Sequence, residues 1–244
     1  MKPHPIRLCG QEFLLDPAGA LVWPKRSALV VADLHLGEAD ALARRGLLAP
    51  PYELEETLAR LEALVVRYRP EIVVSLGDGL HDADAARALE SERFDRLGAL
   101  VRRQRWLWIT GNHDPVVPIG LGGAVLPRFV CDGLTFAHVP SGAAAEVAGH
   151  LHPVARVLTP AGRVQRRRCF VGDGERLLLP ALGTFAGGLD VLDPAIAGLF
   201  PGAFTAYLLG ARRIFAVSSR GLVRDPDPRR HRLQAGRSSP RSLA

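Results

Sequence analysis

The apolar positions of this chain fall into short continuous runs, and several runs stop at the same small set of polar residues. Residues 29–32 are wholly apolar and lead into Asp33 and His35. Residues 72–76 lead into Gly77-Asp78, and 106–110 into Gly111-Asn112-His113-Asp114. Runs of this length predict buried strands. Between the first two, Leu54, Leu58, Leu61, Leu64 and Val65 recur every three or four residues. That spacing predicts an amphipathic helix over 52–67, opened by Pro50-Pro51 and stopped by Pro70. Residues 84–103 predict a second helix with Leu89, Phe94, Leu97, Leu100 and Val101 facing inward. Strand, helix, strand, helix, strand implies parallel strands with right-handed crossovers. Open sheets of this kind place ligands beyond the carboxyl ends of their strands, where these polar residues gather.

The flanks follow other rhythms. Residues 6–15 and 20–23 alternate loosely about Asp16-Pro17-Ala18-Gly19 and predict one hairpin. Residues 36–50 are mixed, with an Ala-rich helical piece before Arg44-Arg45-Gly46. After residue 114 the helices give way to short strands. Residues 128–131 and 134–137 flank the turn Asp132-Gly133. Segments 154–158, 166–171, 176–179 and 213–217 read as further strands, so a second, largely antiparallel sheet is expected over 128–217. Residues 190–203 show little periodicity. From residue 224 Pro, Arg and Ser dominate, which predicts a disordered basic tail over 224–244 behind one domain spanning 1–223.

Composition narrows the class. The 244 residues are 48% apolar, enough for a sizeable core. The net charge of +6 and a pI near 9.9 point to an anionic partner without naming it. Three scattered cysteines, Cys9, Cys131 and Cys169, make neither a disulfide framework nor a zinc spacing, and a reducing cytoplasm is expected. No apolar stretch has the length of a signal segment or of a membrane span. Trp23, Trp106 and Trp108 sit within or beside apolar runs, where core packing is the simpler reading than base stacking.

The strand-end polar residues carry the chemistry. Asp33-x-His35 alone reads first as a polar loop that caps the next helix. Extended geometry past the strand would point both side chains the same way. The pattern of an apolar run followed by Asp, Asn or His recurs at Asp78, Asn112, His138 and His150, with His152 two residues further on. These seven oxygen and nitrogen donors, with no cysteine, are about the number that two divalent metals need if one carboxylate bridges them. Such donors suit manganese, iron, zinc or nickel, and the lack of sulfur argues against a structural zinc.

Asp33-x-His35, Gly77-Asp78, Gly111-Asn112-His113-Asp114, His138 and Gly149-His150-x-His152, in this order, resemble the calcineurin-like metallophosphoesterases. The length, the N-terminal hairpin and Arg44-Arg45-Gly46 look, more narrowly, like the bacterial ligase-associated DNA damage response endonucleases, the PdeM group. The resemblance implies a four-layer α/β/β/α sandwich, two central mixed sheets flanked by helices. It implies that Asp33, His35 and His152 hold a first metal, that Asn112, His138 and His150 hold a second, and that Asp78 bridges both. His113, oriented by Asp114, would be a general acid or a phosphate contact. Arg44 and Arg45 would reach a phosphate or form a solvated pair, and His81 would touch substrate or support a ligand. Glu38 stands where the group usually carries a lysine.

What the resemblance implies is a metal-dependent phosphodiesterase with two divalent ions, manganese first and zinc or iron next, acting on DNA as a repair endonuclease. A small-molecule phosphatase or pyrophosphatase acting on nucleotides or lipid-linked phosphates uses the same metals equally well. A scaffold without activity is the third class, and the complete donor set argues against it. Association with a DNA ligase and helicase comes from the resemblance alone. Pairing of exposed edge strands into a homo-oligomer is left open.

Overall fold

In the computed structural model, residues 1–39, 42, 46, 52–80, 91–112 and 121–224 are described, with 91–94 as backbone only. Two sheets pack face to face. The first is built in chain order from β1 (His4–Leu8), β2 (Gln11–Leu15), β3 (Leu21–Trp23), β4 (Ala28–Ala32), β5 (Ile72–Leu76), β6 (Arg105–Ile109) and β7 (Ala124–Leu126). β1 to β4 form an antiparallel meander, and β4 to β7 run parallel. Helix α1 (Glu53–Tyr68) makes the β4–β5 crossover, and α2 (Ser91–Arg103) leads into β6.

The second sheet contains β8 (Phe129–Cys131), β9 (Leu134–Ala137), β10 (Glu146–Ala148), β11 (Val154–Leu158), β12 (Val164–Gly172), β13 (Arg176–Leu178), β14 (Thr205–Leu209) and β15 (Ile214–Ser218). Its order is β15-β14-β12-β13-β10-β9-β8, with β11 paired to the far half of β12. β10 is parallel to both β9 and β13, and the other pairs are antiparallel.

Side-chain alternation along each strand divides the apolar residues into separate cores. Leu29 and Val31 of β4 face α1 and meet Leu54, Leu58, Leu61 and Leu64. Val30 and Ala32 face the second sheet and join Phe13, Trp23, Phe136 and Phe170 between the sheets. The outer face of the second sheet is covered by Ile196, Phe200 and Phe204, around the one-turn helix Pro194–Ala197. The two central mixed sheets with helices outside are the expected sandwich. β4 and β5 are buried on both faces, which is why their sequences show no polar alternation. Each such fully buried Leu, Val or Phe contributes about 1.5–3 kcal/mol. All three tryptophans are buried in these cores.

Two expectations need correction. Residues 6–15 are not one strand. Cys9 and Gly10 both adopt positive φ and fold the segment into a hairpin of its own. The Asp16 turn then adds a third strand, its carboxylate accepting from the Ala18 N–H at 2.7 Å. β7 and β14 are strands that the apolar pattern does not announce: β7 is exposed on an edge, and β14 takes its register from its neighbours β12 and β15. Residues 40, 41, 43–45, 47–51, 81–90, 113–120 and 225–244 lie outside the described residues, and with them most of the expected Ala-rich piece and almost all of the basic tail. Among the described residues, no helix is long and apolar enough to cross a membrane.

Candidate metal centre

Every expected donor lies just beyond the carboxyl end of a strand: Asp33 and His35 after β4, Asp78 after β5, Asn112 after β6, His138 after β9, and His150 and His152 after β10. The loops that carry them continue to pair beyond the sheets. His35 N–H donates to the Asp78 carbonyl at 2.9 Å, and Gly149 N–H to the His138 carbonyl at 3.1 Å. Extended geometry does not persist past β4. Asp33, His35, Asp78, His150 and His152 all have positive φ, between 45° and 71°. Left-handed backbone is unfavourable for residues with a Cβ and collects where a surrounding structure enforces it. The turn after each strand, and not strand alternation, brings Asp33 and His35 together.

Two donor clusters result. The ligating atoms of Asp33, His35 and His152 lie within 4.8 Å of one another, and so do those of Asp78, His138 and His150. In the first, His35 Nε2 is 3.2 Å from His152 Nε2, and His152 Nε2 is 3.4 Å from Asp33 Oδ1. In the second, His138 Nε2 is 3.1 Å from His150 Nδ1, 3.4 Å from Asp78 Oδ2 and 2.9 Å from Asn112 Oδ1. Asp78 Oδ2 is also 4.0 Å from His35 Nε2, so this carboxylate reaches both clusters. Donors about 2.1 Å from a shared cation stand about 3.0–3.4 Å apart. The observed separations therefore fit cation coordination.

The unsatisfied atoms and the electrostatics agree with that fit. Asp33 is fully buried; its Oδ2 accepts the His150 N–H at 2.8 Å, and its Oδ1 has no hydrogen-bond donor. His138 Nδ1 is 3.0 Å from the Leu76 carbonyl, which can only accept, so Nδ1 carries the proton and Nε2 is left to coordinate. Burial opposes charge on Asp33, but His152, His138 and His35 hold its carboxyl below the usual range. Burial likewise opposes charge on His138, yet Asp78 and Asp33 push it up to about 9. His152 is raised against its own burial by Asp33, Asp78 and Glu38. His150 is lowered by burial and by His138 beside it. The acidic pair thus demands positive charge, which protons on the histidines or bound cations can supply.

Comparison with known proteins decides the family. Residues 27–175 match the family model of the calcineurin-like phosphoesterases. The chain belongs to that family. It is similar to the crystal structure of Pseudomonas putida nuclease MPE, at 31% identity over 88% of this chain and 100% of the nuclease, with a TM-score of 0.69. A phosphoesterase from E. coli, Yfce, aligns at 15% identity over 80% of this chain and 98% of its own, with a TM-score of 0.40. No curated protein sequence matches significantly. The nuclease likeness agrees with the narrower resemblance to the PdeM group. As a calcineurin-like phosphoesterase with two donor clusters, the protein is a metal-dependent hydrolase.

Of the remaining expected residues of this phosphoesterase, Arg44, Arg45, His81, His113 and Asp114 lie outside the described residues. Two glycines make room for the donors. A Cβ on Gly77, which has φ +70°, would stand 2.4 Å from the His138 ring, and one on Gly149 would stand 2.7 Å from Asp33 Oδ2.

Two supporting residues went unnoticed in the sequence. Glu146 accepts from the N–H groups of Ser141 and Gly142 and from the Ser141 hydroxyl, which ties down the loop after His138. Arg168 donates to the carbonyls of Ala181, Gly183, Thr184 and Ala186. The segment it holds backs the first cluster, because Gly183 N–H donates to the Asp33 carbonyl. Glu146 follows a small-residue loop, and Arg168 is an arginine inside a strand that turns buried; those are the only local signs of either role.

Proposed function

We propose that the protein is a dinuclear-metal phosphodiesterase that cleaves DNA in repair, with Asp33, His35 and His152 holding one ion, Asn112, His138 and His150 the other, and Asp78 bridging. The observation that carries this reading is the pair of donor clusters joined by Asp78 Oδ2, 3.4 Å from His138 Nε2 and 4.0 Å from His35 Nε2. Likeness to a nuclease over 88% of the chain supports the choice of a nucleic-acid substrate, and so does the net charge of +6. The sulfur-free donor set suits manganese, zinc or iron, and the family resemblance puts manganese first.

When bound, such a metal pair supplies a water nucleophile at neutral pH and positive charge against the phosphoryl oxygens. The chain's own residues do the rest. The Leu76 carbonyl fixes the tautomer of His138. The His150 N–H holds Asp33 in its rotamer. Asn112 contributes a neutral oxygen, which keeps the centre less negative toward an incoming phosphate. His113, steadied by Asp114, protonates the leaving oxygen. Arg44, Arg45 and His81 contact the substrate. A cytoplasmic location and, by family resemblance alone, association with a ligase and helicase belong to the same reading.

The test is hydrolysis with manganese of single-stranded and nicked DNA beside bis(p-nitrophenyl) phosphate, nucleotides and lipid-linked diphosphates. Cleavage of DNA that is lost in Asp78→Asn is the expected result. Turnover confined to small phosphates would overturn the nuclease reading, and unchanged turnover by Asp78→Asn would overturn the metal assignment.

A further inference from the structure

A groove of about 790 Å³ lies between α1 and β12, apart from the metal donors. Five arginines line it: Arg60 and Arg67 from α1, and Arg166, Arg167 and Arg168 from β12. Among the described lining residues the only carboxylate is Glu56. The buried Asp16 answers Arg67 from below, at 2.9 Å. Arg60 and Arg168 are held by uncharged oxygens. Arg60 donates to the Leu182 carbonyl at 2.9 Å, and Arg168 donates to four carbonyls of the same segment. Carbonyls orient a guanidinium but leave its charge uncancelled. Burial, together with the charges of Arg60 and Arg166, therefore pushes Arg168 down to about 10. Among the described residues that line the groove, five guanidinium groups thus meet one carboxylate, an excess of positive charge that suits an anion.

The spacing says which anion. Arg60 and Arg67 stand two helical turns apart, about 10 Å along α1. One phosphate group is too small to meet both, whereas a polynucleotide strand advancing about 3.4 Å per nucleotide presents several charges over that span. The groove also adjoins the metal centre through a single residue. Gly183 accepts from Arg168 at 2.6 Å and donates to the Asp33 carbonyl at 3.1 Å.

We propose that this arginine groove is a second binding site, which grips the phosphodiester backbone of a nucleic-acid strand outside the nucleotides held at the metals. The proposal rests on the nucleic-acid reading of the function, and its test separates the two. Binding is measured on the manganese-loaded protein with phosphorothioate oligothymidylates of two to about twelve nucleotides, over a range of salt. Cleavage of ordinary DNA is measured in parallel. For the native protein, affinity is expected to rise at least about tenfold with length. Arg60→Gln with Arg167→Gln is expected to lose most of that gain and to flatten the salt slope by about 1.4, or about 0.7 per lost phosphate contact. Arg167→Gln alone, at an exposed side chain, gives half of this change if the double variant folds poorly. Length dependence and salt slope that stay unchanged in the variants overturn the groove, even if the native protein cleaves DNA. Length-dependent binding that the variants lose upholds the groove, even if cleavage is never seen.

Discussion

The metal centre and the arginine groove are built in opposite ways from neighbouring backbone. At the centre, two buried carboxylates and four histidines crowd together, all but His138 on left-handed backbone, and the pocket is short of positive charge. In the groove, guanidinium groups crowd together on a regular helix and strand, and the pocket is short of negative charge. One site stores strain in turns because its donors must converge to within about a bond length of common points. The other needs no convergence, since a polyanion is met by charges spaced along it. Segment 181–186 serves both, with its carbonyls turned to Arg168 and its N–H groups at Leu182 and Gly183 turned to β4 and Asp33.

This contrast can be broken at its strained side first. Asp78→Asn removes a carboxylate that reaches both clusters, and turnover of bis(p-nitrophenyl) phosphate should fall by more than about a hundredfold in a steady-state assay. Gly77→Ala drives a Cβ into the His138 ring from a backbone of positive φ. It should cost more than about 2 kcal/mol in a denaturant titration and should weaken manganese binding.

pH sharpens the same contrast. His138 in the metal-free fold is raised to about 9, from an unfolded value near 6.5. The stability it contributes is therefore complete below about pH 6.5 and lost as pH climbs through about 9, on the order of 3 kcal/mol. Melting of the chelated protein over that window should reveal the loss. Manganese affinity should rise over the same window, since coordination needs the neutral ring.

The groove side is expected to respond least. Arg168→Gln strips charged donors from four carbonyls and should cost about 1.5–3 kcal/mol. Its exposed neighbour Arg167→Gln should stay within about 0.5 kcal/mol. Equal losses from both would erase the distinction between a half-buried arginine held by four carbonyls and an exposed one.

How far these features could be read in advance depends on how local their causes are. Strands β4 and β5 are continuous apolar runs because helices cover one face and a second sheet the other, so their sequences announce them. The donors stand out because Asp33, Asp78, Asn112, His138 and His150 each follow an apolar run, with His35 and His152 two residues beyond Asp33 and His150. The Cys9–Gly10 turn is hidden because Ile6 to Leu15 reads as one loosely alternating run, and only the backbone reveals the reversal. β14 is specified by pairing with β12 and β15, which lie far from it in sequence or beyond a turn. The convergence of Asp33 and His35 was expected for the wrong reason: their left-handed φ values, rather than a period of two, aim them. The roles of Glu146 and Arg168 depend on loops that they meet only after folding. The arginine groove joins residues about a hundred positions apart, and only its β12 half, Arg166-Arg167-Arg168, is visible as a run.

The central claim is that the two clusters seat a pair of cations together. Native mass spectrometry of the chain after manganese loading and removal of free metal tests it directly. The account predicts two ions per chain in the native protein and fewer in Asp78→Asn. A native protein that holds one ion or none under those conditions would contradict it.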